Sequence, residues 1–451
     1  MTETQTIGLI IPRHSDSELL LDSNGKYYFL PSVVIPQRTR AAQQITSQVR
    51  ERWKFNSFCR GNDRLCELGG EVQYQILEPS DNRWTPTDAL RWMPREALNC
   101  ENCLSQELAI INRALHTTVE QGPFARADWF NNLLDWMKSH LQSVGHVLTG
   151  QFEQLNSSEF FNLVRFETTQ GAVWFKAVGN PNLHEYAITL GLVKAYSEFL
   201  PRLIAKRPEW NGWITEEYGT SLYNHPQLES WRNVAMTLAR LQIQSVGKTD
   251  ELLVIGCKDV RLEQIAQQLD PLFDVIAELM ALQPKVPPQK LTSSELKVLK
   301  NSLRVACLRL QDQKIPDSIL HGDFSPGSIL VKGKQCVFTD WAEGYVGHPF
   351  VTFEHMLVHL QSSYPELQTW QHDLRASYAR CWDSVIPVEN IDEALRLIPA
   401  VAALIYAVTR ISGRSGDRLR SLEFSKKVRS LARRMHREIS ALESSGTLCL
   451  N

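Results

Sequence analysis

Two short stretches decide the fold of this chain: residues 321–331, which read HGDFSPGSILV, and residues 337–341, which read VFTDW. They interrupt a region whose apolar residues otherwise recur at helical spacing. The pattern predicts a strand, a tight loop shaped by glycine and proline, a second strand, a turn at Gly333 and a third strand that leads to Asp340. A polar insert of this kind among helices is where a functional site is expected.

The insert carries two carboxylates, Asp323 and Asp340, which we expect on neighbouring loops of one small sheet. Proteins bind Mg2+ through one or two carboxylates together with phosphate oxygens, without a full protein cage. A second carboxylate can orient a substrate hydroxyl and accept its proton. A single Asp in a loop more often caps a turn, but the loop, the spacing and the second Asp together favour a site for phosphate chemistry.

Composition excludes several classes of protein. The chain has 451 residues, of which 43% are hydrophobic and 22% charged, as in a folded globular protein of roughly two to four domains. The net charge of -2 provides no global field toward nucleic acid or anionic lipid. The first residues lack the basic segment of a secretory signal, and the apolar stretch Leu397–Val408 is interpreted as a buried helix too short to span a bilayer. A soluble cytoplasmic protein is predicted.

The pattern along the chain divides it into three regions. Residues 1–120 are predicted to form short strands around a helix at Thr39–Trp53. Residues 121–222 begin with a linker helix and continue with a strand-rich segment. Residues 223–451 are mainly helical, and they contain the insert.

The insert resembles the catalytic and metal-binding loops of the aminoglycoside phosphotransferase (APH)-like kinases, whose pattern is His-Gly-Asp-x-x-x-x-Asn followed by a strand that ends in Asp-Trp or Asp-Phe. The resemblance extends over about residues 146–440. It implies an α+β chain with a two-lobed protein-kinase-like fold, in which a small β-rich lobe precedes a large helical lobe. By this resemblance Asp323 is the catalytic base and Asp340 the chief Mg2+ ligand. The family's Asn falls on Ser328, a shorter and poorer candidate metal ligand.

The same resemblance implies further site residues in the strand-rich segment. In a kinase, a strand lysine neutralises the nucleotide phosphates and is held by a helix glutamate; Lys176 and Glu185 are in the right context for these roles. The alternatives are a solvated strand lysine and an acid favoured by the dipole of its helix. The remaining nucleotide-binding candidates are the hinge residues Glu216, Glu217 and Tyr218 and the loop residues Ser157 and Ser158.

Residues 1–120 faintly resemble a Nudix-like fold, with Thr39–Trp53 in the place of the Nudix helix. The catalytic box of that family needs a glycine and several glutamates that bind metal, whereas this helix has only Glu51. Without clustered carboxylates, metal-assisted pyrophosphate hydrolysis has no ligands. The expectation is a separate, non-catalytic α/β accessory domain.

Three other motifs carry little weight. Gly247-Lys248-Thr249 resembles the end of a P-loop but follows a helix and lacks the required glycine five residues earlier. The pair Cys100 and Cys103 has no second pair nearby to complete a zinc site. The basic residues between Arg410 and Arg437 are interpreted as a solvated helix face diluted by acids.

The resemblance predicts an ATP- (or GTP-) and Mg2+-dependent phosphotransferase that moves a γ-phosphoryl group to a hydroxyl of a small molecule. The alternative is a pseudokinase or nucleotide-binding regulatory module with weak or no transfer. Ser328 and the glycine-free loop at residues 156–158 motivate that alternative. The expected partners are a nucleotide and a small hydroxyl-bearing acceptor, without nucleic acid or membrane.

Overall fold

The computed structural model describes residues 3–61, 73–81, 83–86, 90–99, 101–103, 105–116, 122–367, 369–411 and 421–448. The chain divides into two compact units. We call Met1–Tyr186 with Arg202–Glu217 the N-terminal unit, and Ala187–Pro201 with Tyr218–Asn451 the helical unit. Each is described by itself.

The described residues of the first part of the N-terminal unit form a mixed sheet with two α-helices. Its strands are β1 (Thr4–Arg13), β2 (Glu18–Ser23), β3 (Tyr28–Phe29), β4 (Ser32–Pro36), β5 (Ser57–Cys59), β6 (Gln73–Pro79) and β7 (Arg91–Pro94), and its helices are α1 (Ala41–Trp53) and α2 (Ser105–Ala114). The order is β3-β2-β1-β6-β5, with β4 also paired to β1 and β7 to β2. Helix α1 confirms the predicted helix, because its buried positions recur every three or four residues. The Nudix-like resemblance stays a prediction.

The second part of the N-terminal unit is a helix and an antiparallel five-stranded sheet. These are α3 (Trp129–Gln142), β8 (Leu148–Ser157), β9 (Asn162–Thr168), β10 (Gly171–Ala177), β11 (Leu203–Arg207) and β12 (Gly212–Glu216). The strand order is β11-β12-β10-β9-β8. Alternation along β10 buries Val173, Phe175 and Ala177, and places Lys176 on the opposite face.

One aromatic core joins the two parts of the N-terminal unit. Phe58 of β5 stacks on Phe130 of α3, with ring centroids 4.2 Å apart, and meets Trp129 edge-on. Phe166 of β9 and Phe175 of β10 belong to the same buried cluster. The division into compact units therefore does not separate residues 1–120 from the five-stranded sheet.

The helical unit contains most of the remaining elements. Helix α4 (His184–Tyr196) begins in the N-terminal unit, and the other helices are α5 (Leu228–Ser245), α6 (Thr249–Val254), α7 (Leu262–Gln267), α8 (Leu269–Ala281), α9 (Ser293–Asp312), α10 (Phe350–Ser363), α11 (Trp370–Trp382), α12 (Val388–Ile411) and α13 (Leu422–Ser444). The strands are β13 (Thr220–Ser221), β14 (Lys258–Asp259), β15 (Ser318–His321), β16 (Ile329–Lys332), β17 (Gln335–Phe338) and β18 (Gly344–Gly347). The apolar spacing of residues 262–282 predicts one helix, but the chain forms two. The spacing continues across the junction at Gln268, so periodicity alone does not reveal it.

The strands of the insert occur in the predicted order, but the expectation of one small sheet is wrong. Strand β15 pairs with β18 in the sheet β14-β18-β15, whereas β16 and β17 belong to the sheet β13-β16-β17. The loop after β15 therefore carries the chain from one sheet to the other. Ile319 before the loop and Ile329 and Val331 after it are buried, so the loop is anchored at both ends.

Helix α12 is longer than the apolar stretch Leu397–Val408 from which it is predicted. It has 24 residues, and its most apolar 18-residue window has a mean hydropathy of 1.6, so it is the one helix among the described residues that is long and apolar enough to cross a membrane. The prediction that this segment is too short is therefore wrong, because residues on either side of the stretch extend the helix. The prediction of a buried helix is confirmed, since 61% of its apolar window is buried against the protein itself.

Candidate active site

A buried aromatic side chain fixes the loop between β15 and β16. Phe324 is fully buried between His321 and Phe338, with ring centroids 5.5 and 5.1 Å away. The backbone N–H of Ser325 donates to the Asp323 carbonyl at 2.8 Å, which tightens the turn. The Asp323 side chain is exposed beside this buried ring. The fold therefore presents the first predicted carboxylate to solvent from a rigid loop.

The segment that carries Asp340 is bound to this loop by three hydrogen bonds. The His321 ring bonds through Nε2 to the Thr339 carbonyl at 2.8 Å; because a carbonyl only accepts, Nε2 carries the proton. The Thr339 N–H donates to the Ser328 carbonyl at 2.9 Å, and the Gly322 N–H to the Glu343 carbonyl at 2.7 Å. The two segments that carry the predicted carboxylates are therefore joined to each other within the helical unit.

Asp340 adopts an unusual backbone conformation between β17 and a short helical turn. Its φ of +62° lies in the left-handed region, which is sparsely populated for residues other than glycine. The side chain is exposed, while the next residue, Trp341, is buried with its ring centroid 4.7 Å from that of His321. Such outliers persist where the surroundings hold them, often at functional sites.

Ser328, at the position of the family's Asn, is buried and hydrogen-bonded. Its hydroxyl donates to the Asp323 carbonyl at 3.2 Å, so it braces the loop. The described residues contain no group of three or more His, Cys, Asp or Glu side chains that could hold a metal. A single exposed carboxylate such as that of Asp340 nevertheless fits Mg2+, which takes most of its ligands from phosphate and water.

The predicted lysine–glutamate pair is present in the N-terminal unit. The Lys176 Nζ lies 2.5 Å from Glu185 Oε1, and the Glu185 side chain in the first turn of α4 is only 3% exposed. A buried carboxylate of this kind needs a cation to stay ionised. The ammonium also lies 5.8 Å from the centroid of the Trp213 ring. The pair makes Lys176 a fixed charge, and its contact with phosphate stays a prediction.

The side chains of the two hinge glutamates are engaged within the N-terminal unit. Arg165 binds the Glu217 carboxylate with two nitrogens at 2.6 and 3.0 Å, and this pairing is the main reason that the pKa of Glu217 is lowered. Arg202 binds Glu216 at 2.6 Å. Tyr218 begins the second segment of the helical unit and is partly buried. Any contact of these glutamates with adenine would therefore come from the backbone.

The two loop serines are also hydrogen-bonded within the chain. The Ser157 hydroxyl donates to the Cys59 carbonyl at 3.2 Å. The Ser158 hydroxyl accepts from the Phe161 N–H at 3.1 Å. The sequence predicts both residues in the loop between the first two strands, but β8 extends to Ser157, so only Ser158 lies after the strand. Their contact with phosphate stays a prediction.

An ion pair beside Asp323 has no counterpart among the residues assigned from the sequence. Arg410 of α12 binds Glu343 with two nitrogens, at 2.8 and 3.1 Å. Burial raises the pKa of the Glu343 carboxyl, Arg410 opposes that rise, and the negative charge of Asp323 adds to it. In the sequence, Arg410 follows an apolar helical stretch, but many basic residues come after it, so the sequence does not distinguish Arg410 from them.

The interpretation of that basic run as a solvated face is wrong for several members. Arg429 of α13 is buried and donates to the Leu279 carbonyl at 3.2 Å. Arg433 donates to the Gln289 carbonyl at 2.8 Å. These guanidinium groups satisfy carbonyls at the ends of other segments. Residues 412–420 of the run and Cys100 lie outside the described residues.

Comparison with known proteins gives a family match for part of the chain and a similar fold. Residues 200–388 match the model of the family described as APH, phosphotransferase enzyme family. None of the curated proteins compared with the chain matches it. Among solved structures, choline kinase from Cryptosporidium parvum is similar with a TM-score of 0.50 and 10% identity, covering 70% of this chain and 97% of that chain.

Two further similar structures have lower scores. Macrolide 2′-phosphotransferase from Brachybacterium faecium has a TM-score of 0.42 and 12% identity, and covers 67% of this chain and 97% of that chain. Ethanolamine kinase from Plasmodium vivax has a TM-score of 0.42 and 11% identity, and covers 62% of this chain and 82% of that chain.

The predicted α+β, protein-kinase-like fold is thereby confirmed, whereas the Nudix-like part of the prediction is not shown. The family match includes Asp323 and Asp340 and begins after Lys176 and Glu185. The match of residues 200–388 to the model of the phosphotransferase enzyme family agrees with the resemblance of the catalytic loop to that family.

Proposed function

We propose that this protein transfers the γ-phosphoryl group of ATP (or GTP) to a hydroxyl of a small molecule, with Mg2+. The observation that carries the proposal is the pair of exposed carboxylates, Asp323 and Asp340, on two segments joined by hydrogen bonds through His321, Thr339 and Glu343. The family match of the same residues supports a phosphotransferase.

Each residue has a distinct task in the proposed mechanism. Asp323 accepts the proton of the acceptor hydroxyl as its oxygen bonds to the γ-phosphorus and the bond to the departing nucleoside diphosphate breaks. Asp340 would hold Mg2+, with Ser328 as a weaker candidate ligand, and the bound ion would neutralise phosphate oxygens. Lys176, held by Glu185, supplies a second positive charge. Positioning and electrostatics would then provide most of the rate.

A coupled assay of ADP release tests the proposal. Aminoglycosides, amino sugars, choline-like alcohols and nucleosides serve as acceptors, each with and without Mg2+. We expect Mg2+-dependent release with at least one acceptor, reduced by about 10²–10⁴-fold in Asp323→Asn, because general-base catalysis contributes about that much. The matched control is Asp312→Asn, an exposed acid at the end of α9, which should keep full activity.

Ser328 favours a second candidate, a nucleotide-binding pseudokinase, because its buried hydroxyl already bonds to the Asp323 carbonyl. Thermal stabilisation by Mg·ATP without ADP release for any acceptor would support that candidate. If Mg·ATP and Mg·GTP gave no stabilisation, both candidates would be wrong. Hydrolysis of nucleoside diphosphate compounds that persisted after loss of both aspartates would instead point to the N-terminal region.

The proposed binding partners and cellular location follow from the proposed substrates. A nucleotide and a small hydroxyl-bearing acceptor are the proposed partners, and neither nucleic acid nor membrane is proposed. The balanced charge of -2 is in keeping with this. We propose a cytoplasmic location, where ATP is available.

A further inference from the structure

The β8–β9 loop (Ser158–Phe161) is a tight turn without glycine. The N–H of Ser158 donates to the Phe161 carbonyl at 2.8 Å, and the N–H of Phe161 donates to the Ser158 hydroxyl at 3.1 Å. In kinases the loop at this place in the sheet covers the nucleotide phosphates and is rich in glycine. Here the loop has a defined conformation of its own, and contacts from outside the hairpin hold it there.

The first of these contacts is a glutamine that binds the edge of β5. Strand β5 lies at the end of its sheet, where backbone groups lack a neighbouring strand. The Gln154 side chain, in a residue that is 1% exposed, accepts from the Cys59 N–H at 2.6 Å and donates to the Cys59 carbonyl at 3.1 Å. The same Gln154 amide also donates its second hydrogen to Asn162 Oδ1 at 3.0 Å. The amide therefore connects the base of the loop to the N-terminal sheet.

The second contact is a close approach of backbone on both sides of the loop. A Cβ atom at Gly61 would lie 2.1 Å from the Ser158 carbonyl oxygen, and one at Gly122 would lie 2.2 Å from the Glu159 carbonyl oxygen. Only glycine permits such proximity without moving the backbone. The Phe124 N–H also donates to the Glu159 carbonyl at 3.2 Å. The loop is thus held between residues 59–61 and residues 122–124.

We propose that residues 59–61 of the N-terminal region position the β8–β9 loop and thereby set the affinity of the protein for the phosphate part of its nucleotide. The inference rests on the proposed function, since it takes the loop as the one that contacts phosphate. A free loop loses conformational entropy when it closes over a ligand, whereas a loop already fixed in place does not. Gln154 is then a positioning residue, which acts through the loop without contacting the nucleotide.

The test compares full-length variants by isothermal titration with Mg·ATP, Mg·ADP and adenosine. We expect Gln154→Ala and the volume-conserving Gln154→Met to weaken the binding of both phosphorylated ligands by about 10-fold, with adenosine affinity unchanged within about twofold. Amide hydrogen exchange of residues 158–161 should accelerate in both variants, because the loop loses its support. Gln154→Met removes the hydrogen bonds but keeps the volume of the side chain, so it tests the inference even if the alanine variant does not fold.

The matched control is Gln43→Ala. Gln43 of α1 also reaches β8, donating to Glu153 Oε1 at 2.7 Å, but it binds the residue next to Gln154 and does not reach the loop. Its removal should leave all three affinities unchanged. Equal losses for ATP and adenosine in the Gln154 variants, or a phosphate-dependent loss in Gln43→Ala, would overturn the inference. Absence of Mg·ATP binding by the unmodified protein would instead refute the proposed function on which it rests.

Discussion

The two loops that we propose to act on phosphate are stabilised in different ways. The loop that carries Asp323 is held from inside its own unit, by the buried Phe324 ring and by hydrogen bonds to the neighbouring segment at Thr339 and Glu343. The β8–β9 loop is held by Cys59 and Gly61, which are about 95 residues away in the sequence. The first arrangement follows from a short motif, whereas the second depends on a separate part of the chain.

The difference shows how a loop can do without its usual sequence. Glycine lets a phosphate-covering loop move and bring its backbone close to the ligand. A loop fixed by its surroundings has no need of that freedom, so its residues are constrained by their neighbours. The absence of glycine at residues 156–158 therefore does not by itself argue against nucleotide binding.

The largest expected effect comes from the internally held loop and its partner segment. Asp340→Asn should reduce ADP release by at least about 10²-fold and abolish the Mg2+ dependence of nucleotide binding, because the amide lacks the charge that holds the cation. Titration of Mg2+ at fixed ATP measures this. Asp383→Asn, at the end of α11, is the control. An unchanged Mg2+ dependence in Asp340→Asn would place the metal elsewhere.

The next effect concerns the support of the β8–β9 loop. Phe58→Ala should lower the free energy of unfolding by about 3–5 kcal/mol, because it leaves a cavity against Phe130 and Trp129. Urea denaturation, monitored by tryptophan fluorescence, measures the change in the free energy of unfolding. Val34→Ala, a truncation at a side chain of β4 that is 56% exposed, should cost less than about 0.5 kcal/mol. Similar costs for the two variants would mean that the aromatic core does not unite the N-terminal unit.

A smaller effect distinguishes the two roles of Ser328. If its hydroxyl only braces the loop, Ser328→Ala should lower stability by about 1 kcal/mol, since one buried hydrogen bond is lost, and leave the Mg2+ requirement unchanged. Thermal unfolding together with a Mg2+ titration of ADP release measures both quantities. A large rise in the Mg2+ concentration needed for half-maximal rate would instead make Ser328 a metal ligand.

The smallest effect lies outside both loops and tests the electrostatics of the helical unit. Burial, with the charges of Glu263 and Asp259, raises the pKa of Asp317 to about 6, although Arg261 opposes the rise. A folded-state pKa above the unfolded value means that the folded protein holds this proton more tightly. Stability from this group is therefore fully present below about pH 4 and is lost as the pH rises to about 6.

The substitution Asp317→Asn removes the ionisable carboxyl and with it the loss of stability above pH 4. Its Tm should match that of the unmodified protein near pH 4 and exceed it by about 2–4 °C above pH 6, which corresponds to about 1 kcal/mol after discounting for solvent screening. Calorimetry from pH 4 to pH 8 measures the difference. A Tm difference that did not vary with pH would show that folding does not raise the pKa of the Asp317 carboxyl.

The sequence predicts features that depend on near neighbours and misses those that depend on distant ones. The strand–loop–strand insert and the ion pair of Lys176 with Glu185 are predicted correctly, because alternation, turn residues and a helix start lie within a few residues of each other. The pairing of β15 with β18 is missed, since periodicity does not say which strands become neighbours. Strand pairing is decided by tertiary packing.

Two of the contacts described above could not be predicted from the sequence. Gln154 is an ordinary glutamine in a strand, and its partner Cys59 lies 95 residues earlier. Arg410 is one of many basic residues near the C-terminal end, and only the position of Glu343 distinguishes it. Side-chain chemistry that bridges distant elements becomes visible only in the folded chain.

The shared aromatic core also bears on how such a chain could have arisen. A gene shortened to start at residue 121 would encode a protein that lacks Phe58. The Phe130 and Trp129 rings that Phe58 contacts would then be more exposed. Exposed aromatic patches promote aggregation. Exchange of the first half for an unrelated domain by recombination would meet the same penalty. The two halves of the N-terminal unit are therefore expected to be inherited together, with compensating changes on either side of this contact.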